Sequence, residues 1–298
     1  MSDQDLRNLS TPPELGKPPT KVVSLVPSMT ESLFELGFGE SVIGITDFCI
    51  YPAGMLTNIQ KVGGPKNPDI DAIVNLAPDL VFANQEENTL QAIQQLVEKG
   101  IKVWASYPRT VDDALDVLRT LLGIYHTDAA AMQITSLQMA YDWARNAVEE
   151  LPRLRYFCPI WQDKVGDDTR WWMTFNDDTY TGNLIGTFGL DNIFAKRERK
   201  YPLEAELGLG TADPDSSGDK RYPRVTLEEI ISLDPELIIL PSEPFAFDIN
   251  NKVEFNSLFS GTTAVKQDRV ILVDGSLITW HGTRLAKAIN QLPSLLTL

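Results

Sequence analysis

The sequence predicts an α/β protein made of two similar lobes joined by one long helix. Three observations carry this. Short apolar runs alternate with capped amphipathic runs along most of the chain, the pattern of parallel strands covered by helices. One phrase is written twice, as "DAIVNLAPDLVFANQEEN" from Asp71 and "EEIISLDPELIILPSEPF" from Glu228. In each copy an amphipathic run stops at a Pro, an acid follows, and an apolar run leads into a polar tail containing Glu. Between the copies, residues 128–150 run without a Gly or Pro, long enough for a helix of roughly 34 Å. The boundaries read as a disordered tail over 1–20, a first lobe over 21–127, a connecting helix over 128–151 and a second lobe over 152–298.

The elements follow in order. The Pro-rich, polar start has no apolar pattern to fold around. "KVVSLV" is a buried strand. Ser28 with Glu31 reads as a capping box for the next helix, and Gly37 as its end. "SVIGITD" is a strand and residues 48–68 a long loop. Asp69 caps a helix through Leu76, Pro78 ends it, and "DLVFA" is a strand. A helix closes on Gly100, "KVWAS" is a strand, and Thr110 caps another helix. Pro152 ends the long helix. Then "RLRYFCPIW" and "WWMTF" are strands, a helix follows Asp178, and residues 195–222 form a charged, Gly-rich loop. Thr226 and Glu229 make a capping box for the second repeated helix. "ELIILP" and "RVILVDG" are strands, "VEFNSLFSG" and "GTRLAKAINQL" helices.

The bulk numbers narrow the function. A chain of 298 residues suits two ordinary domains. A net charge of −15 disfavours a nucleic-acid partner, since phosphate binding needs clustered Lys and Arg. Two Cys and two His, with no tight spacing, disfavour a disulfide framework and a bare-metal site. The start lacks a basic segment followed by an apolar one, so it does not read as a secretory leader, and no run is long enough to span a bilayer. The chain as written reads as cytoplasmic; a leader removed upstream would place it in the periplasm or at the cell surface.

Four stretches, "VVSLVPSMTESLFELGFGESVIGIT", "VGGPKNPDIDAIVNLAPDLVFAN", "YPRVTLEEIISLDPELIIL" and "ITWHGTRL", lie in one order over Lys21 to Leu298. Together they resemble the class III, helical-backbone solute-binding proteins of ABC importers, the family of vitamin B12 and ferric-siderophore binders, nearest its cobalamin-binding branch. The resemblance implies two Rossmann-like lobes joined by one rigid α-helix. It also implies a ligand cleft between them, a monomer, no built-in cofactor and no catalytic residue. The cargo would be a metal chelate: a corrinoid such as cobalamin, a ferric siderophore or haem.

Loops at the carboxyl ends of parallel strands are the expected ligand walls. In the first lobe these offer Ser28, Met29 and Thr30, then Asp47 and Phe48, then Pro65, Lys66 and Asn67. Glu86, Glu87 and Asn88 follow the repeated strand, and Tyr107 the next one. In the second lobe they offer Trp161, Trp172, Thr174 and Tyr180, then Tyr222 and Arg224, then Glu243 and Phe245, and lastly Trp280, His281 and Arg284. Flat rings give large contact area at low entropy cost, which suits a macrocycle. Each residue also has a packing role open to it: Ser28 as a cap, one of Trp171 and Trp172 as core, Cys49 as a small buried hydrophobe. Pro65 stands where cobalamin-binding members offer a Trp, whereas Tyr222 keeps the aromatic before the second repeated helix. By the same resemblance Asp71 and Glu228 are the acids that dock on permease arginines, although acids in a first turn also favour the helix dipole. Two other readings stay open: a cytoplasmic chelate-binding or sensor protein without a transporter, and an enzyme on a similar bilobal scaffold. For the enzyme there is no G-x-S-x-G, Walker A or G-x-G-x-x-G sequence, only the carboxylates Glu86, Glu87 and Glu243.

Overall fold

The computed structural model describes residues 9–166 and 169–296. It is a mixed α/β structure with parallel sheets, as the alternation predicts. The chain divides into two compact units. Unit 1 takes the chain up to Met139 together with Trp280–Ala286, and unit 2 takes Ala140–Thr279 with the chain from Lys287 on.

Unit 1 holds β1 (Val22–Ser24), α1 (Pro27–Glu35), β2 (Val42–Ile45), β3 (Gln60–Lys61), α2 (Ile70–Leu76), β4 (Leu80–Asn84), α3 (Leu90–Glu98), β5 (Val103–Ser106) and α4 (Val111–Ile124). Its sheet runs β3-β2-β1-β4-β5, all parallel. β1 and β4 are buried along their whole length, which is why they read as continuous apolar runs rather than alternating ones. Val23, Val81, Ile73, Ile93 and Leu96 form the core on one side of this sheet. Strand order reverses at β1, so the loops after β1 and β4 lead away from each other at the carboxyl edge.

The boundary between the units falls inside α5 (Ala131–Ala147), 17 residues and about 25 Å long. It is shorter than the expected 128–151. At its start Ala131 donates to the Asp128 carbonyl, and at its end Val148 and Glu149 donate to Arg145 and Asn146. These are three-residue turns, so both ends tighten out of α-helix.

Unit 2 holds β6 (Leu154–Phe157), β7 (Trp161–Val165), β8 (Thr169–Met173), α6 (Tyr180–Thr187), β9 (Leu190–Asn192), α7 (Leu203–Glu206) and β10 (Arg224–Thr226). These are followed by α8 (Leu227–Leu233), β11 (Leu237–Pro241), α9 (Ile249–Leu258), α10 (Thr263–Lys266), β12 (Val270–Val273), α11 (Ser276–Thr279) and, after the crossing into unit 1, α12 (Leu285–Leu296). A parallel sheet runs β12-β11-β6-β9, and a separate antiparallel sheet runs β10-β8-β7. The apolar pattern predicts one strand from Arg153 through Trp161 and no antiparallel sheet. The chain instead leaves the parallel sheet after Phe157 and folds Trp161–Val165 back on Thr169–Met173 as a hairpin. Trp172, Phe255, Phe259, Phe247 and Phe157 make the aromatic core.

The two copies of the repeated phrase fold alike. α2 and α8 each have seven residues, capped by Asp69 and Thr226. Each ends on a residue in the left-handed region, Ala77 at φ 46° and Asp234 at φ 44°, followed by Pro. Each leads into a fully buried five-residue strand. The caps at Thr110 and the end at Gly100 also form as expected.

Three expectations are corrected. Residues 1–8 of the expected tail lie outside the described residues, but 9–20 are tied to unit 1. The Trp104 indole donates to the Ser10 carbonyl at 2.9 Å, Leu9 packs on the core, and the Thr20 and Lys21 amides donate to Asp79. Ser28 and Glu31 form no capping box: Pro27 opens α1 after Val26, which offers no side-chain cap, and Glu31 turns inward to an ion pair. Finally, Trp280–Ala286 group with unit 1, not with the second lobe.

Candidate functional site

The candidate residues fall mostly on two rims, one per unit, at the carboxyl edges where strand order reverses. In unit 1 the rim is built around Asn84, the last residue of β4. Its side-chain oxygen accepts from the Glu86 and Glu87 amides, which folds the acidic loop back over the strand. Asn88 closes the turn: its oxygen accepts from the Asn84 amide, and its nitrogen donates to the Leu25 and Pro65 carbonyls. The loops after β1, β3 and β4 are thus fixed by one amide. Lys66 donates to the Glu86 carbonyl. Burial lowers the Lys66 pKa, against the pull of Glu87 and Glu86.

The segment Trp280–Arg284 packs on this rim. Gly282 sits at φ +88°, and a Cβ there would lie 2.3 Å from Ser32 Oγ, so only Gly permits the approach. Ser32 Oγ in turn accepts from the Thr283 amide. Arg284 Nε donates to Glu31 Oε2 at 2.7 Å, with both side chains almost fully shielded. Its guanidinium lies 4.2 Å from the Tyr51 ring centroid and 4.9 Å from that of Trp280, and the two rings meet edge to face at 5.9 Å. His281 is buried, and burial pulls its pKa down to about 4, so the ring is neutral at physiological pH. The Asn84 amide reaches its Nε2 at 3.3 Å. The loops after β2 and β5 carry exposed apolar side chains: Phe48 is 63% exposed, and Ile50, Met55 and Tyr107 are exposed as well.

In unit 2 the rim is formed by the chain leaving β6 and β11. The Phe245 amide donates to the Ile160 carbonyl, and the Phe245 ring meets exposed Trp161 edge-on at 5.6 Å. Glu243 Oε1 accepts from Thr279 at 3.0 Å. Tyr222 is half-buried, with Arg221 over its ring at 5.2 Å.

The structure thus brings Asn88, His281, Arg284 and Trp280 together with the exposed or half-exposed Asp47, Phe48, Pro65, Lys66, Asn67, Glu86, Glu87 and Tyr107 in unit 1. Ser28 lies under that rim, its Oγ buried without a hydrogen-bond partner. Five expected contacts are instead packing. Thr30 is committed to Ser24 and Val26, and Met29 is buried beside it. Trp172 pairs with Val225 on the core face of β8, so it is the buried one of the Trp pair's two strand faces, although Trp171 is nearly as shielded. Thr174 donates to the Cys158 carbonyl, and Tyr180 is shielded at the start of α6. Cys49 and Cys158 are free and buried, and burial pushes both thiols up. Three residues that are not among the expected contacts stand beside them: Tyr51 at Trp280, Asn84 at His281, and Met173 between Trp161 and Arg224 in its sheet. Asn84 had a legible signal, an amide closing an apolar strand.

Asp71 and Glu228 occupy the same position, two residues after the capping residue of their helices, and both are exposed. Among the described residues no group of three or more His, Cys, Asp or Glu could hold a metal ion, and no helix is long and apolar enough to cross a membrane.

Comparison with known proteins gives a consistent picture. Residues 22–277 match the family described as periplasmic binding protein. An uncharacterized ABC transporter substrate-binding lipoprotein of Bacillus subtilis is 27% identical over 283 residues, 93% of this chain and 80% of that protein. A cobalamin-binding protein of Halobacterium salinarum is 25% identical over 282 residues, 93% of this chain and 69% of that protein. The crystal structure of the periplasmic vitamin B12 binding protein of Vibrio cholerae superposes with a TM-score of 0.73 at 19% identity, over 93% of this chain and 96% of that one. With its parallel-sheet fold and a match over most of its length, the chain belongs to the periplasmic binding protein family.

Proposed function

We propose that this protein binds a metal chelate, of the corrinoid, haem or ferric-siderophore kind, and delivers it to an ABC importer. The observation that carries the reading is the rim of unit 1. Exposed Phe48, Ile50 and Met55 share one loop with Tyr51, whose ring meets Trp280 and the Arg284 guanidinium next to the neutral, buried His281. Monomeric proteins seldom leave apolar side chains grouped around placed polar ones without a ligand to cover them. Trp161 and Phe245 give the unit 2 rim the same character. The named activities of the Bacillus and Halobacterium relatives support the choice of cargo and of transport. In this reading the protein is a monomeric binding protein rather than an enzyme, the chelate is cargo and not a resident cofactor, and it works on the outer side of the cytoplasmic membrane. Exposed Asp71 and Glu228 are its contacts with permease arginines, one from each unit.

A thermal-shift panel of cobalamin, cobinamide, haem, ferric siderophores and free divalent metals tests the proposal. A ligand at a hundred times its Kd adds about 2.7 kcal/mol, a rise of several degrees. A shift with one chelate class and none with bare metals is expected. No shift with any chelate refutes the reading.

A further inference from the structure

The antiparallel sheet of unit 2 lines three side chains in a row. Arg224 of β10 stands opposite Met173 of β8, and Met173 opposite Trp161 of β7. Residues directly opposite share a face. The neighbouring row, Val225, Trp172 and Gln162, takes the other face, where Val225 and Trp172 join the core. This second row carries an indole, a thioether and a guanidinium across three strands, a span of about 10 Å, with the Arg224 side chain only 13% exposed and its Nε and Nη1 buried. Trp161 is 42% exposed and Met173 half-buried. Phe245 widens the apolar end.

Arg224 differs from the other arginines around it. Arg221 grips Asp219 at 2.6 Å, Arg170 reaches Glu254 at 2.5 Å and Arg197 reaches Glu229 at 3.3 Å. Arg224 lies over the Trp171 ring at 5.5 Å, but its Nε and Nη1 have no hydrogen-bond partner. The carboxylate in ion-pair range, Glu206, leaves 3.9 Å between Oε2 and Nη1, too far for a hydrogen bond. Glu206 is itself compromised. Its side chain is fully shielded, Oε1 accepts from the Lys200 amide, and Oε2 has no donor. Burial pushes its pKa up to about 7, against the pull of Arg197 and Arg199, so near neutrality it compensates Arg224 only in part. Arg199 Nε is unpartnered as well. On a chain of net charge −15, such an under-compensated cation is where an anionic group can be held against the general repulsion.

We infer that the Trp161–Met173–Arg224 row is a subsite for a planar chelate whose periphery carries ionised carboxylates, with the ring edge over Trp161 and Met173 and a carboxylate on the Arg224 guanidinium. The inference rests on the chelate-binding reading and narrows it, because amide-capped macrocycles cannot pair with a guanidinium in this way.

The test compares iron protoporphyrin with its dimethyl ester, which keeps ring and metal and removes both charges, and includes cobinamide as an amide-bearing corrin. Affinities are read by quenching of tryptophan fluorescence. The free acid is expected to bind the unaltered protein roughly tenfold to a hundredfold tighter than the ester, the value of one or two charge-assisted hydrogen bonds. Arg224→Gln should remove that factor for the acid and leave the ester unchanged, while Arg224→Lys keeps the charge, loses the fork and retains part of it. Glu206→Gln, which removes the competing carboxylate, should tighten the acid form. Equal affinity for acid and ester, or a loss on Arg224→Gln that is the same for both, overturns the subsite while leaving chelate binding intact. Binding of none of the three probes overturns the subsite, and if ferric siderophores fail to bind as well, the chelate-binding reading falls with it.

Discussion

Replacing Arg284 by Met should destabilise unit 1 strongly, and the reason is burial. The guanidinium is 4% exposed and the Glu31 side chain 1%. Water has little access to replace the partner that is lost, so the Glu31 carboxyl is left without its cation in a shielded site. Removing one half of such a pair costs about 3–5 kcal/mol. Loss of two ring contacts at 4.2 and 4.9 Å adds up to about 1–2 kcal/mol. Met fills most of the volume, so a cavity contributes little. Urea unfolding followed by tryptophan fluorescence reads the effect as a lower midpoint at unchanged slope. The double replacement Glu31→Leu with Arg284→Met is expected to recover most of the loss, since an apolar pair needs no partner. A double-mutant cycle gives the coupling directly. A loss below about 1 kcal/mol for Arg284→Met, or a double variant as unstable as the sum of the singles, would refute the argument that this pair is a buried, mutually dependent unit. Such a result would also remove the basis for treating Tyr51 and Trp280 as rings held in place by Arg284.

Other predictions concern a carboxylate, a glycine and two surface acids. Burial raises Glu206 from 4.5 to about 7 with Arg197, Arg199 and Glu229 facing it. A raised carboxylate favours the fold while protonated, so its contribution is full below pH 4.5 and is lost as pH rises through 7. Across that window stability should fall by about 3 kcal/mol, and Glu206→Gln should flatten the profile; an unchanged slope rejects the assignment. Gly282→Ala should cost at least about 1–3 kcal/mol from backbone strain, since the position is left-handed and a Cβ meets Ser32; a melting temperature equal to that of the unaltered protein contradicts the close approach. Asp71→Ala together with Glu228→Ala should abolish chelate uptake in a reconstituted transport assay while leaving affinity intact, and a fall in affinity rejects that division of labour.

Much of the fold was legible because it is written in local chemistry. The repeated phrase carries its own cap, stop and buried strand, so α2–β4 and α8–β11 could be read without any distant contact. Local patterns were enough for the α/β class, the order of the parallel strands' elements and the family resemblance. It also placed the candidate residues on strand-end loops, because a parallel strand with a capped helix after it fixes which end carries the loop. Pairing across distance came from the folded chain alone. Glu31 sits three residues after Ser28 and fits a capping box locally, yet it is held by Arg284, far along the chain. The β7–β8 hairpin depends on where the chain leaves β6, and "WQDKV" alternates too weakly to announce a strand. Trp172 and Trp171 look alike in sequence, and only the register with Val225 and Thr226 assigns Trp172 to the aromatic core. Trp280–Arg284 follow a unit 2 helix in sequence and still pack in unit 1, because the energy that places them comes from Glu31, Ser32 and Asn84, partners that no local pattern can name.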